Sequence, residues 1–361
     1  HAQLDQLRAT DATPATQTFE RWAAGLPTKL TRVLQAGEPT ISGAGPSTRI
    51  RVPMVMSVRV RQATNAKRVF RTPIDVTLAP SSMVGTDLTT ATWHVQDATT
   101  TQANGLRAIG NPMIISRADV DVVSDVSTQQ LAQVCADEAQ TSITAMRARY
   151  ASIKGPGAAA VFVLKDAPQA TLVLGESQSH PAGVEPSGWT WESGDVVIPA
   201  AAVASDSPLE QRGTVRHEVV HVVTLPLLRS GHVPTMLLEG IAVVEEGALV
   251  THGTNSMVDL SSLRKAFRAK TLGYDQLLRS NESFFGRKTS TGVDLAYLAG
   301  FATIMYLDER IGHAKVEQLL MQLRGGASID AALASTARLT PQQLAVNLRK
   351  WTAQYVRTRG K

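Results

Sequence analysis

The sequence predicts an α+β protein in two parts: helices and an antiparallel sheet over residues 1–110, then a small α+β lobe and a mostly helical C-terminal lobe over 111–361. Three observations carry this. Two long segments before residue 81 alternate apolar and polar residues with period two. Strand-like and helix-like patterns then alternate between Ile114 and Pro199. From Ser207 onward the apolar spacing is that of helices almost to the end. At 361 residues the chain is long for one core, so two domains meeting near Asn111-Pro112 are expected.

Residues 1 to about 36 read as helical, with Leu4, Leu7, Phe19, Trp22, Leu26, Leu30 and Leu34 as apolar positions and a break at Thr13-Pro14. The stretch Ile41 to Pro46 is rich in Gly, Pro and Ser and reads as a loop. From Arg49 to Gln62, Ile50, Val52, Met54, Met56, Val58 and Val60 share one face of a strand. Phe70 to Pro80 repeats the pattern with Ile74, Val76 and Leu78, and residues 91–102 make a third strand. Next come a strand over Ile114 to Val123, a helix over Thr128 to Tyr150 and a strand over Ala159 to Leu164. A Gly/Pro/Ser-rich stretch, Gly175 to Gly188, precedes a strand pair over Trp189 to Pro199. Helices are expected at 207–225, 235–249, 293–311, 314–324 and 341–357. Thr340-Pro341 opens the last of them and Gly325-Gly326 closes the one before.

Composition excludes some classes. Hydrophobic residues are 43% and charged residues 19%, which excludes a disordered chain. The net charge is +5, yet the basic residues are scattered without a run of five, so a diffusely basic surface is expected and no nucleic-acid partner. Arg outnumbers Lys, and Ala, Val and Thr abound, as in GC-rich bacterial coding. The single cysteine, Cys135, excludes an intrachain disulfide and a cysteine metal site; it shares a predicted helix face with Leu131, Ala139, Ile143 and Met146 and reads as a small buried hydrophobe. No apolar stretch is long enough to span a bilayer. The chain starts at His1, so a removed signal peptide or an upstream membrane anchor is compatible with it, and an extracellular or cell-surface location is expected.

The chemistry concentrates in His217-Glu218-Val219-Val220-His221. On a helix, residues four apart lie on one face, about 6 Å apart at their bases, so both imidazoles can grip one small cation. Zinc suits nitrogen ligands in a tetrahedron. Glu218 stands beside the metal without binding it, where a general base must be to take a proton from an activated water. Such a run arises by chance in roughly 1% of chains this long. A third ligand is needed, and Glu239 is the candidate: an isolated carboxylate in the apolar stretch Met236 to Val244 is costly unless a cation pairs with it. His232, in a loop beside Gly231, is a rival ligand.

The run H-E-x-x-H followed by Glu239-Gly240-Ile241-Ala242 resembles the gluzincin metallopeptidases, and more narrowly the bacterial peptidase-MA-like families related to the M1 aminopeptidases. The resemblance covers residues ~114–361 and implies a thermolysin-like catalytic domain, zinc held by His217, His221 and Glu239, and a peptide or protein substrate. It extends to Ala296-Tyr297-Leu298-Ala299-Gly300-Phe301-Ala302 and Tyr306-Leu307, which are similar to the Y-x-x-G-F-A…Y-L helix of that group. The resemblance thereby gives Tyr297 the role of hydrogen-bond donor to the oxyanion. The aminopeptidase G-x-M-E-N segment is not present; Ser187 to Gly194 stands in its place, with Trp189 and Trp191 on one face of an expected edge strand. The acidic residue expected one turn after the third ligand is replaced by Val243; Glu246, two turns on, could serve in its place, although a solvated carboxylate is the favoured reading. Residues 1–110 resemble the helix-plus-sheet cone of NTF2-like domains in architecture alone, which implies an accessory module. A non-catalytic zinc-binding scaffold or cell-surface binding module is the alternative reading.

Overall fold

A computed structural model describes residues 31–35, 37–44, 47–61, 67–82, 92–100, 105–174, 187–191, 193–247, 265, 278 and 290–359. The expected helices over residues 1–30 lie outside the described residues. Thr31–Gln35, expected as a helix end, is a strand, β1, paired antiparallel with Met54–Val58. A five-residue amphipathic end takes the hydrogen bonds of a waiting sheet edge more readily than it nucleates a helix turn.

The N-terminal sheet also contains β2 (Thr40–Ser42), β3 (Arg49–Arg61), β4 (Lys67–Ser82) and β5 (Thr92–Thr100), with order β1-β3-β4-β5 and β2 alongside β3. All its pairings are antiparallel. The period-two face is buried over part of its length: Met56, Val58 and Val60 are buried, as are Phe70 and Ile74 on β4, whereas Ile50, Val52, Met54, Val76 and Leu78 are half-buried.

The second sheet contains β6 (Pro112–Ser116), β7 (Val120–Asp125), β8 (Ala159–Leu164), β9 (Trp189–Thr190) and β10 (Asp195–Pro199), in the order β6-β7-β8-β10-β9. The single strand expected over Ile114 to Val123 is two antiparallel strands, β6 and β7. The triplet Arg117-Ala118-Asp119, charged at both ends, turns the chain between them, closed by the Arg117 N–H donating to the Val120 carbonyl at 2.7 Å. Strands β7, β8 and β10 are parallel, and helix α1 (Gln129–Arg149) makes the crossover from β7 to β8. On β8, Ala159, Val161 and Val163 face the helices, while Ala160, Phe162 and Leu164 face the N-terminal sheet. Both faces are covered, which is why this strand reads as one unbroken apolar run.

Helix α2 (Ala167–Leu174) follows β8 and has no counterpart in the sequence reading. The later helices are α3 (Pro208–Val223), the single turn α4 (Leu225–Leu228), α5 (Thr235–Gly247), α6 (Ser290–Ile311), α7 (His313–Arg324), α8 (Ile329–Ala337) and α9 (Pro341–Arg359). Thr340 opens α9 as expected: its hydroxyl accepts from the Gln343 N–H, and Gln343 reaches back to the Thr340 N–H. Helix α3, expected to reach residue 225, closes at Val223, and Pro226 sits in the first turn of α4, where a proline lacking an N–H is tolerated. Cys135 is buried on α1 as expected, and burial pushes its thiol up to about 12. No helix of the described residues is long and apolar enough to cross a membrane.

Candidate metal centre

Helix α3 begins on a complete capping box. The Ser207 hydroxyl accepts from the Glu210 N–H, and the Glu210 carboxylate accepts from the Ser207 N–H at 2.7 Å, with Pro208 in the first turn. This fixes the register of a helix that buries Val215, Val219, Val220, Val222 and Val223 and, on another face, His217, Glu218 and His221. Helix α5 crosses α3 and presents Glu239.

The three ring and carboxylate atoms converge. His217 Nε2 lies 3.3 Å from His221 Nε2 and 3.3 Å from Glu239 Oε2, and His221 Nε2 lies 3.2 Å from the same oxygen. A tetrahedral ion bonded at about 2.0–2.1 Å, the range of zinc with nitrogen and oxygen, keeps its ligand atoms about 3.3 Å apart. The spacing therefore fits a small tetrahedral cation. The hydrogen bonding agrees. His217 Nδ1 lies 3.2 Å from Glu246 Oε2, so its N–H donates there and, in the neutral ring, Nε2 carries a lone pair. That Nε2 faces another imidazole nitrogen and a carboxylate oxygen, an arrangement that is relieved either by a proton shared with Glu239 or by a cation among the three atoms.

The electrostatics point the same way. Burial opposes the charge on Glu239, but attraction to His221 and hydrogen bonds from both histidines outweigh it and hold the carboxyl far below its usual range. Burial likewise opposes a charged His217, and the hydrogen bonds of Glu239 and Glu246 more than reverse this, raising its pKa well above the ordinary value. The centre favours positive charge between its carboxylates. His232 is exposed in its loop and is not part of the cluster.

Glu218 lies beside the ligand atoms but outside the cluster. Burial raises its pKa, and attraction to His217 and His221 and a hydrogen bond from Thr190 offset part of the rise. The Thr190 hydroxyl is 2.8 Å from Glu218 Oε2. Gly188 makes room for this approach, since a Cβ there would come within 3.0 Å of Glu218 Cγ. Sequence reasoning missed both residues, which belong to the edge strand and the residue just before it and not to the metal-bearing helices. Of its two readings of Glu246 the favoured one, a solvated carboxylate, gives way to the other: the residue is buried against His217. The available signal was spacing: Glu246 follows Glu239 by seven residues and so shares its helix face. Gly213, one turn before His217, lets the Glu246 side chain pass across α3; a Cβ there would lie 3.2 Å from Glu246 Cγ.

Helix α6 brings Tyr297 to the centre, its ring centroid 6.0 Å from that of His217. It can do so because α5 and α6 touch backbone to backbone. A Cβ on Gly240 would fall 2.4 Å from the Gly300 carbonyl oxygen, and one on Gly300 would fall 2.5 Å from that of Met236. Trp189 and Trp191 are buried in the core beneath β9, on the side of the N-terminal sheet, and do not line a cleft.

Residues 186–353 match the Peptidase MA superfamily. The matched segment, a little under half of the chain, runs from the edge strand through both ligand helices to α9. It supports a metallopeptidase-like hydrolase with peptide or protein substrates. No curated protein matches the chain.

Proposed function

We propose that the protein is a zinc-dependent metallopeptidase of the gluzincin type, related to the M1 aminopeptidases. Residues 111–361 are its thermolysin-like catalytic domain and residues 1–110 an NTF2-like accessory domain. It acts outside the cell or at its surface. The observation that carries the reading is the buried triangle of His217, His221 and Glu239, with separations of 3.2–3.3 Å, beside a carboxylate that does not join it.

His217, His221 and Glu239 hold the ion. Zinc supplies Lewis-acid activation of water and of the peptide carbonyl. Glu246 holds the His217 ring in the tautomer that leaves Nε2 free to ligate. Glu218 takes the proton of the attacking water and passes it to the leaving amine, and its raised pKa brings it closer to that task at neutral pH. Thr190 fixes its rotamer. Tyr297 donates a hydrogen bond to the developing oxyanion.

Zinc analysis and casein cleavage with and without a chelator test the reading. One zinc per chain is expected, with cleavage abolished by chelation and restored by zinc. Glu218→Gln should retain zinc and lose about 100-fold or more of the activity. Stoichiometric zinc with no cleavage in the parent would instead identify the non-catalytic scaffold.

A further inference from the structure

The chain from Gly188 to Trp191 alternates its contacts. Trp189 and Trp191 are buried on one side, in the core shared with the N-terminal sheet. Gly188 and Thr190 face the other side and meet Glu218. Successive residues of an extended chain point to opposite faces, so the two buried tryptophans anchor the strand from behind. The Thr190 backbone is also fixed, in register with Val196 on β10.

The contact between Thr190 and Glu218 is unsymmetrical. Among the described residues Thr190 supplies the one hydrogen bond to the Glu218 carboxylate, and it reaches a single oxygen, Oε2, at 2.8 Å. The same hydroxyl lies 3.0 Å from the Glu218 main-chain carbonyl. A hydroxyl has one proton to share between these two acceptors. The carbonyl lies inside α3, where helix geometry already supplies the Val222 N–H. The carboxylate has no such supply, and a hydrogen bond to an ionised acceptor is the stronger of the two. The hydroxyl proton therefore belongs to Oε2 while Glu218 is ionised. Oε1 lies on the Gly188 side, 3.3 Å from where a Cβ on that glycine would stand.

We propose that Thr190 is a positioning residue that makes the two oxygens of Glu218 unequal: it holds Oε2, and Oε1 is the oxygen that exchanges the proton of the reaction. The inference rests on the metallopeptidase reading and deepens it. As the oxygen of the attacking water bonds to the carbonyl carbon, its proton passes to Oε1; as the C–N bond breaks, that proton passes to the leaving nitrogen. A proton arriving at Oε2 would instead meet the Thr190 proton and force the hydroxyl round to a carbonyl that is already paired. A carboxylate held at one oxygen also cannot swing, so the other keeps a fixed place in the site.

Two variants and an inhibitor complex of the full-length protein test this. Thr190→Val keeps the volume and suits a strand but lacks the hydroxyl, and Thr190→Ser keeps the hydroxyl. Thr190→Val is expected to keep one zinc per chain and the parent's KM for a peptide substrate and to lose about 10- to 100-fold in kcat, while Thr190→Ser stays within about threefold of the parent. In crystals of the zinc-loaded parent with a peptide hydroxamate, the inhibitor should hydrogen-bond to the Glu218 oxygen that Thr190 does not hold. In crystals of Thr190→Val the carboxylate should take more than one orientation. Undiminished kcat or loss of zinc in Thr190→Val, an equal loss of kcat in both variants, or an inhibitor seated on the Thr190-held oxygen overturns the inference and leaves the peptidase reading standing. A parent that binds zinc and cleaves no peptide overturns both.

Discussion

At the scale of single residues, the centre depends on side chains that never touch the ion. Glu246 is buried, and its carboxylate has His217 Nδ1 at 3.2 Å. Glu246→Gln keeps the volume but removes the charge that fixes the ring, so zinc affinity should fall about 10–100-fold in a chelator competition while the melting temperature of the zinc-loaded protein changes little. Unchanged affinity would show that Glu246 only fills space. Cys135 gives a contrasting case, a buried group with no chemistry. Its thiol is pushed up to about 12 by burial, so at pH 8 only about one thiol in ten thousand is ionised. A maleimide should leave the native protein unlabelled at pH 8 and modify it fully in denaturant. The sign carries over to stability: unfolding returns the thiol to an ordinary pKa of about 8.5, so its contribution is complete below that pH and declines as pH rises towards 12.

At the scale of elements, what the sequence discloses depends on which signals are local. The H-E-x-x-H spacing, the Ser207 and Thr340 starts and the period-two strands are short-range patterns, and each reappears in the structure. The edge between β6 and β7 was not legible, because a three-residue turn inside an apolar run leaves the average pattern strand-like. Helix α2 was missed because its eight residues are too few to show a period. Thr190 and Glu246 act through tertiary contacts, and no sequence window contains both partners. The glycines of Glu239-Gly240 and Ala299-Gly300 are similar: they are visible as residues, but their purpose appears only where α5 and α6 meet. Gly300→Ala would push a methyl to 2.5 Å from the Met236 carbonyl oxygen. The helices must separate, at a cost of about 1–3 kcal/mol in denaturant unfolding. Because α5 carries Glu239 and α6 carries Tyr297, zinc affinity and turnover should fall with it. Leu348→Ala, a fully buried core change on α9, should lower stability with little effect on zinc affinity. If the two variants behave alike, the crossing does not set the centre.

At the scale of the whole molecule, the N-terminal sheet is bound to the metal centre by a chain of contacts. Met56, Val58, Val60, Phe70 and Ile74 share one apolar core with Val123, Phe162, Leu164 and Val197 on the far face of the second sheet. Polar links fasten the edges: the Arg61 N–H donates to Asp121, and Arg68 pairs with Asp195 at 2.7 Å, where the Asp195 side chain is fully buried. Asp195 opens β10, β10 pairs with β9, and β9 carries the Thr190 that orients Glu218. Removing one partner of a buried pair leaves a charge without compensation, so Arg68→Leu should cost about 3–5 kcal/mol in denaturant unfolding. A chain beginning at Asn111 goes further. It uncovers Phe162, Leu164 and Val197, a contiguous apolar surface of the kind that drives association. Such a chain should bind a hydrophobic dye, aggregate and lose cleavage, although every residue of the proposed site is present. The full-length protein should melt in one transition that both sheets share. If residues 111–361 alone match the parent in melting temperature and activity, the N-terminal sheet is a passenger and Glu218 is positioned without it.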